Sequence, residues 1–177
     1  MAERVKIGIL VTSDRASQGL YEDRGGPAIS AWLGEVITSH WQERYRLVPD
    51  DRAEIAAALI DLADNEGCSL ILTTGGTGPA PRDVTPEATM EIAERLMAGF
   101  GEAMRIASLA EVPTAILSRQ EAVTRGKTLI INLPGKPSAI ATCLNAVFPA
   151  VPYCLDLIGA GRIETDPAKC ATFRPKA

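Results

Sequence analysis

Three aspartates, Asp14, Asp50 and Asp83, each follow an apolar stretch or its glycine-bearing turn. Carboxylates at such positions can gather at one sheet edge. Mg²⁺ takes hard oxygen ligands and often only one or two protein carboxylates, with substrate phosphates filling the remaining positions. Asp50 and Asp83 meet that demand without histidine or cysteine. Each aspartate taken alone also fits a helix cap or a solvated loop, and Asp51 fits a local cap better than a ligand.

A second candidate is Thr73-Thr74-Gly75-Gly76-Thr77-Gly78. It lacks the lysine of a Walker A loop and the spacing of a dinucleotide fingerprint. Its glycines and hydroxyls can still turn backbone N–H groups toward a phosphate or a polar heterocycle, or serve only as turn and cap residues. The third is Asn132-Leu133-Pro134-Gly135-Lys136-Pro137-Ser138, where Lys136 offers a cation to phosphate or to solvent. Ser13 and Ser118 have no GxSxG setting, which puts serine hydrolysis low. His40, the one histidine, reads as a surface residue, and Trp32 as core or subunit-contact packing.

Positioning these loops requires strands that end where they begin. Val5 to Val11, Cys68 to Thr73 and Lys127 to Asn132 are short, nearly continuous apolar runs, the pattern of strands covered on both faces. Tyr45 to Val48 reads as a further strand, and Thr114 to Ser118 as a short one. Between them, Ala28–Ile37, Ile55–Leu62, Ala88–Leu96, Gly101–Ala110, Ile140–Val147 and Val151–Gly161 carry helical spacing. Thr85 is the expected cap of the helix that Pro86 opens. The expected fold is α/β, a three-layer sandwich with a mostly parallel central sheet and flanking helices, whose ligands gather beyond the carboxyl ends of the strands.

The chain has 177 residues, 46% hydrophobic and 23% charged, with a formal charge of −4. That length suits one domain, 1–177, with 162–177 as a lightly packed C-terminal tail, and that charge argues against a general nucleic-acid surface. No stretch has the layout of a secretory signal or a membrane span, so a cytoplasmic location is expected. Cys68, Cys143, Cys154 and Cys170 show no zinc-ribbon spacing and read as packing thiols.

Taken in order, Ser13-Asp14-Arg15, Pro49-Asp50, Thr73 through Gly78, Arg82-Asp83-Val84-Thr85-Pro86, Gly99-Phe100-Gly101, Pro113 through Arg119, Leu133-Pro134-Gly135 and Val151-Pro152-Tyr153-Cys154 resemble the Mog-type molybdopterin adenylyltransferases. The resemblance spans nearly the whole chain. It implies transfer of AMP from ATP to the terminal phosphate of molybdopterin with release of pyrophosphate, with ATP and molybdopterin as substrates and Mg²⁺ as the metal. It also implies Asp50 and Asp83 as the catalytic and metal-binding pair. Thr73, Thr74, Gly75, Gly76 and Gly78 would line the site, with Asp14, Ser118, Asn132, Pro134, Gly135, Lys136 and Ser138 completing its edge. A homotrimer and a transient molybdenum-insertion partner follow from the same likeness. A noncatalytic molybdopterin-binding module and a small Mg-dependent phosphohydrolase are the competing readings. Between Asn145 and Val151 the chain is shorter than the resembling proteins commonly are.

Overall fold

A computed structural model describes residues 4–176. Its centre is a six-stranded sheet in the order β2-β1-β3-β6-β5-β4: β1 Val5–Thr12, β2 Trp41–Val48, β3 Leu70–Thr74, β4 Arg95–Leu96, β5 Ala122–Arg125 and β6 Thr128–Leu133. β2, β1, β3 and β6 run parallel, while β4 and β5 close one edge antiparallel. The helices are α1 Asp14–Ser17, α2 Gly25–Val36, α3 Arg52–Ile60, α4 Thr85–Glu91, α5 Ala98–Leu109, α6 Pro137–Val147 and α7 Val151–Ile158. This is the expected mostly parallel three-layer sandwich.

The alternation of side chains along each strand builds two cores. Ile7, Ile9, Leu70, Leu72, Leu129 and Ile131 face Ile29 and Leu33 of α2 and Ile140 and Leu144 of α6. Leu10, Ile71 and Ile130 face the other way, against Ile55 and Leu59 of α3 and Ala88 of α4. Burying each such Leu or Ile is worth about 1.5–3 kcal/mol, which is why these strands read as continuous apolar runs. The Asp51 side chain caps α3 by accepting the Glu54 N–H at 3.0 Å, as read from the sequence.

Several expectations are corrected. Residues 114–118 form no strand: Pro113–Leu117 is a 3₁₀ turn whose Ile116 and Leu117 point to solvent. Their β-branched and apolar character imitates a strand, but no sheet edge pairs with them. Thr85 is the first residue of α4 and does not cap it; Val84 stands at the cap without a side-chain bond. Leu96 leaves that helix for β4 and is exposed. The tail is more firmly held than expected. Ile163 and Cys170 are buried in the first core, Thr165 bridges Ile37, and Arg174 pairs with Asp156 at 2.6 Å.

The short junction is a 3₁₀ turn, Phe148–Ala150, between α6 and α7. Phe148 is fully buried, and its ring meets Trp32 edge-on at 4.9 Å. By length and composition the run 137–158 would suffice to cross a membrane, yet half of it is buried within the protein and Pro149 and Pro152 interrupt it.

Candidate active site

β1 lies between β2 and β3, so the chain steps one way along the sheet after β1 and the other way after β2. Such a reversal parts the strand-end loops and opens a crevice. Here it is a cleft of about 170 Å³ whose walls include Thr12 and Ser13 after β1, Thr74 and Gly75 at the end of β3, Gly135 after β6, and Tyr21, Asp23, Arg24 and Gly25 leading into α2.

The loops around it are tied to one another. The Asp14 N–H donates to Asp50 Oδ2 at 3.0 Å, and the Asp50 N–H donates to Asp14 Oδ1 at 2.9 Å. Arg82 reaches across from the loop after β3 and pairs with Asp14 Oδ2. That guanidinium, with the Asp50 N–H, holds the Asp14 carboxyl below the usual carboxylate range. Asp83 is set differently: its Oδ2 accepts the Ala80 N–H at 3.0 Å, closing a turn within its own loop.

Gly75 and Gly76 have φ of +98° and +64°, a region that L side chains rarely adopt. A Cβ on Gly75 would also strike the Thr12 carbonyl oxygen. The two glycines therefore let β3 end directly against the end of β1.

Beneath the surface, Thr73 and Asn132 are fully buried, and the Asn132 amide donates to Thr73 Oγ1 at 3.1 Å and Thr89 Oγ1 at 3.0 Å. Thr74 Oγ1 donates to the Pro134 carbonyl at 2.8 Å. These side chains hold the ends of β3 and β6 in place. Lys136 and Ser138 are exposed where α6 begins, and Ser118 donates to Gln120 Oε1 at 2.5 Å. Of the residues singled out from the sequence, Thr74, Gly75 and Gly135 line the cleft, whereas Asp14, Asp50, Thr73, Gly76, Gly78, Asp83, Ser118, Asn132, Pro134, Lys136 and Ser138 stand outside its lining.

Residues given no role at the site by the sequence reading also shape it. The Asp23 carboxylate accepts the Gly26 N–H at 3.0 Å and the Tyr45 hydroxyl at 2.7 Å, which ties the start of α2 to β2. Burial, and then this bond, push the Tyr45 hydroxyl pKa up. Arg119 binds the loop after β3. Apart from residue types common to many loops, nothing local in the sequence marks these partners.

As a metal test, no group of three or more His, Cys, Asp or Glu side chains converges among the described residues. Asp50 has only Oδ2 engaged by protein, whereas both oxygens of Asp14 are taken. Such a donor set fits a hard cation that arrives with phosphate and water, and does not fit a closed all-protein cage.

The chain matches the family described as a probable molybdopterin binding domain over residues 8–153. It belongs to that family. The span of the molybdopterin binding domain runs from β1 into α7 and takes in every loop of the cleft. The domain is 51% identical over 174 residues to the molybdopterin adenylyltransferase of Helicobacter pylori strain J99, covering 98% of this chain and 99% of that one. The Escherichia coli K12 molybdopterin adenylyltransferase is 48% identical over 185 residues, 98% of this chain and 95% of that one. Among solved structures, the molybdopterin biosynthesis enzyme MoaB of Thermus thermophilus superposes with a TM-score of 0.82 at 42% identity, covering 90% of this chain and 99% of that chain. The Helicobacter alignment leaves almost no room for gaps, so a molybdopterin binding domain of this compact length also occurs there.

Proposed function

We propose that the protein is a molybdopterin adenylyltransferase acting through a single domain, 1–177, with 162–177 as its tail. The observation that carries this reading is the near-full-length identity to two proteins of that name. Asp14, Asp50, Asp83 and the glycine loops stand at the parallel strand ends, which supports it further.

In the proposed reaction a terminal phosphate oxygen of molybdopterin attacks the α-phosphorus of ATP. The new P–O bond forms as the bond from the α-phosphorus to its bridging oxygen breaks, and pyrophosphate leaves with the electron pair. The nucleophile belongs to the substrate, so no serine or cysteine attack is needed. Mg²⁺, when bound, neutralises phosphate charge. Asp50, with an oxygen to spare, and Asp83 are the residues assigned to hold it. Thr74, Gly75, Gly76, Gly78 and the Pro134 to Ser138 loop bind and orient the two substrates, aided by Lys136 and Ser118. Asp14, Thr73 and Asn132 hold these loops in register, which is the alignment that in-line transfer requires.

A homotrimer is proposed as well, and the exposed Ile106, Leu109, Val112, Ile116 and Leu117 along α5 and the following turn offer apolar area for subunit contact. A transient molybdenum-insertion partner and a cytoplasmic location complete the proposal. The test is incubation with molybdopterin, ATP and Mg²⁺, with direct detection of products. Adenylylated molybdopterin and pyrophosphate in equal amounts are expected. Release of inorganic phosphate alone, or binding of both substrates without product, overturns the reading in favour of a phosphohydrolase or a carrier module.

A further inference from the structure

The loop from Gly75 to Val84 joins β3 to α4 and carries Asp83, yet Pro79 to Arg82 at its tip are exposed. A segment with so little buried apolar surface depends on hydrogen bonds for its shape. Its own bonds are few: the Asp83 N–H donates to the Ala80 carbonyl at 2.9 Å, and the Ala80 N–H returns to Asp83 Oδ2 at 3.0 Å.

At the tip Arg82 pairs with Asp14, and at the start the Gly76 carbonyl accepts the Thr85 N–H at 3.1 Å. A further set of ties comes from one residue far along the chain. The Arg119 backbone N–H donates to the Thr77 carbonyl at 2.9 Å. Its Nε donates to the Gly78 carbonyl at 2.8 Å, and its Nη2 to the Asp83 carbonyl at 2.6 Å. Nη1 pairs with Glu87 in the first turn of α4, and that guanidinium holds the Glu87 carboxyl below its ordinary range. One planar fork thus fixes both ends of the loop and the helix that follows it. A lysine has the charge but not the fork, and cannot serve two carbonyls and a carboxylate in this geometry.

We propose that Arg119 is a positioning residue that sets the 77–83 loop and so aims the Asp83 carboxylate. The proposal rests on the reading that gives Asp83 a part in adenylyl transfer. Its test compares Arg119→Ala, Arg119→Lys and Glu87→Gln in the full chain. Two measurements are made on each: steady-state adenylyl transfer, and amide hydrogen exchange.

Arg119→Ala is expected to lower kcat on the order of 100-fold, the scale of a misaligned reacting group, with KM for ATP within about threefold of wild type. Arg119→Lys should recover little of that loss. Glu87→Gln should cost less than about fivefold, because the carbonyl contacts remain. In Arg119→Ala the Ala80 and Asp83 amides should exchange faster, while those of β3 and β6 keep their protection. Wild-type exchange and wild-type kcat in Arg119→Ala overturn the proposal. So does full recovery by lysine, or a Glu87→Gln defect equal to that of Arg119→Ala, either of which reduces the clamp to a charge. If wild type itself forms no adenylylated product, the activity reading fails instead, and the exchange measurement alone still decides whether Arg119 sets the loop.

Discussion

Alanine at Gly75 and alanine at Gly135 separate what the fold needs from what a ligand needs, because the two glycines sit beside each other in the same cleft. At Gly75 the φ of +98° makes any side chain strained, at about 1–2 kcal/mol. The added Cβ would strike the Thr12 carbonyl oxygen and come within 2.9 Å of Thr12 Oγ1. The first obstacle is β1 backbone and cannot rotate away, so the strand ends must part at a further cost of about 1–3 kcal/mol. Together these give about 2–5 kcal/mol. For a chain of this length each kcal/mol lowers Tm by about 2–4 °C, so Gly75→Ala should melt roughly 5–20 °C below wild type. At Gly135 the nearest atom to a built Cβ is the Gly75 Cα at 3.7 Å, an ordinary contact. Gly135→Ala should therefore change stability by less than about 0.5 kcal/mol. Calorimetry of both variants, with ATP binding measured on each well below its Tm, checks the reasoning. A Gly75→Ala protein that melts within about 2 °C of wild type would refute it.

Asp83→Asn keeps an oxygen for the Ala80 N–H, so urea unfolding should show a loss below about 1 kcal/mol while turnover falls at least about tenfold; a folded variant with unchanged product formation removes Asp83 from the chemistry. Asn132→Ala leaves two buried threonine hydroxyls without their donor and opens a cavity, and should cost about 2–4 kcal/mol in the same assay. A loss below about 1 kcal/mol would contradict that role. The Asp14 carboxyl titrates below its ordinary value of 3.8, so whatever it adds to stability is fully present above that pH and fades as the pH falls through the lower midpoint. Arg82→Gln should move that midpoint upward in carboxyl-carbon NMR, and an unmoved midpoint would show that the ion pair does not persist in solution.

The strands whose faces are both covered were legible, since β1, β3 and β6 write their burial as nearly continuous apolar runs. β2 was only half legible. It is an outer strand with Arg44 and Arg46 paired to Glu66, and its polar first half carries no run to find. The 3₁₀ turn at Pro113–Leu117 failed for the opposite reason, having strand-like residues and no partner to pair with. At the site, strand-end position drew attention to Asp14 and Asp50, which the folded chain joins by hydrogen bonds, while the glycines were read as facing a ligand and the packing of Gly75 against the Thr12 carbonyl was not foreseen. Arg119 acts on residues some 41 positions away, as its bond to Gly78 shows. Only the folded chain brings those groups together, so no local pattern could assign it.

The exchange of backbone bonds between Asp14 and Asp50 has a consequence for engineering and for divergence. Each loop supplies both the hook and the eye for the other, so the two behave as one cassette split across the sequence. Transplanting the loop after β1 into a relative without its counterpart after β2 would deliver a carboxylate with nothing to register against. Insertions that lengthen one half should survive only when the other half changes with them, and paired libraries at the two loops are the rational way to vary this edge of the protein.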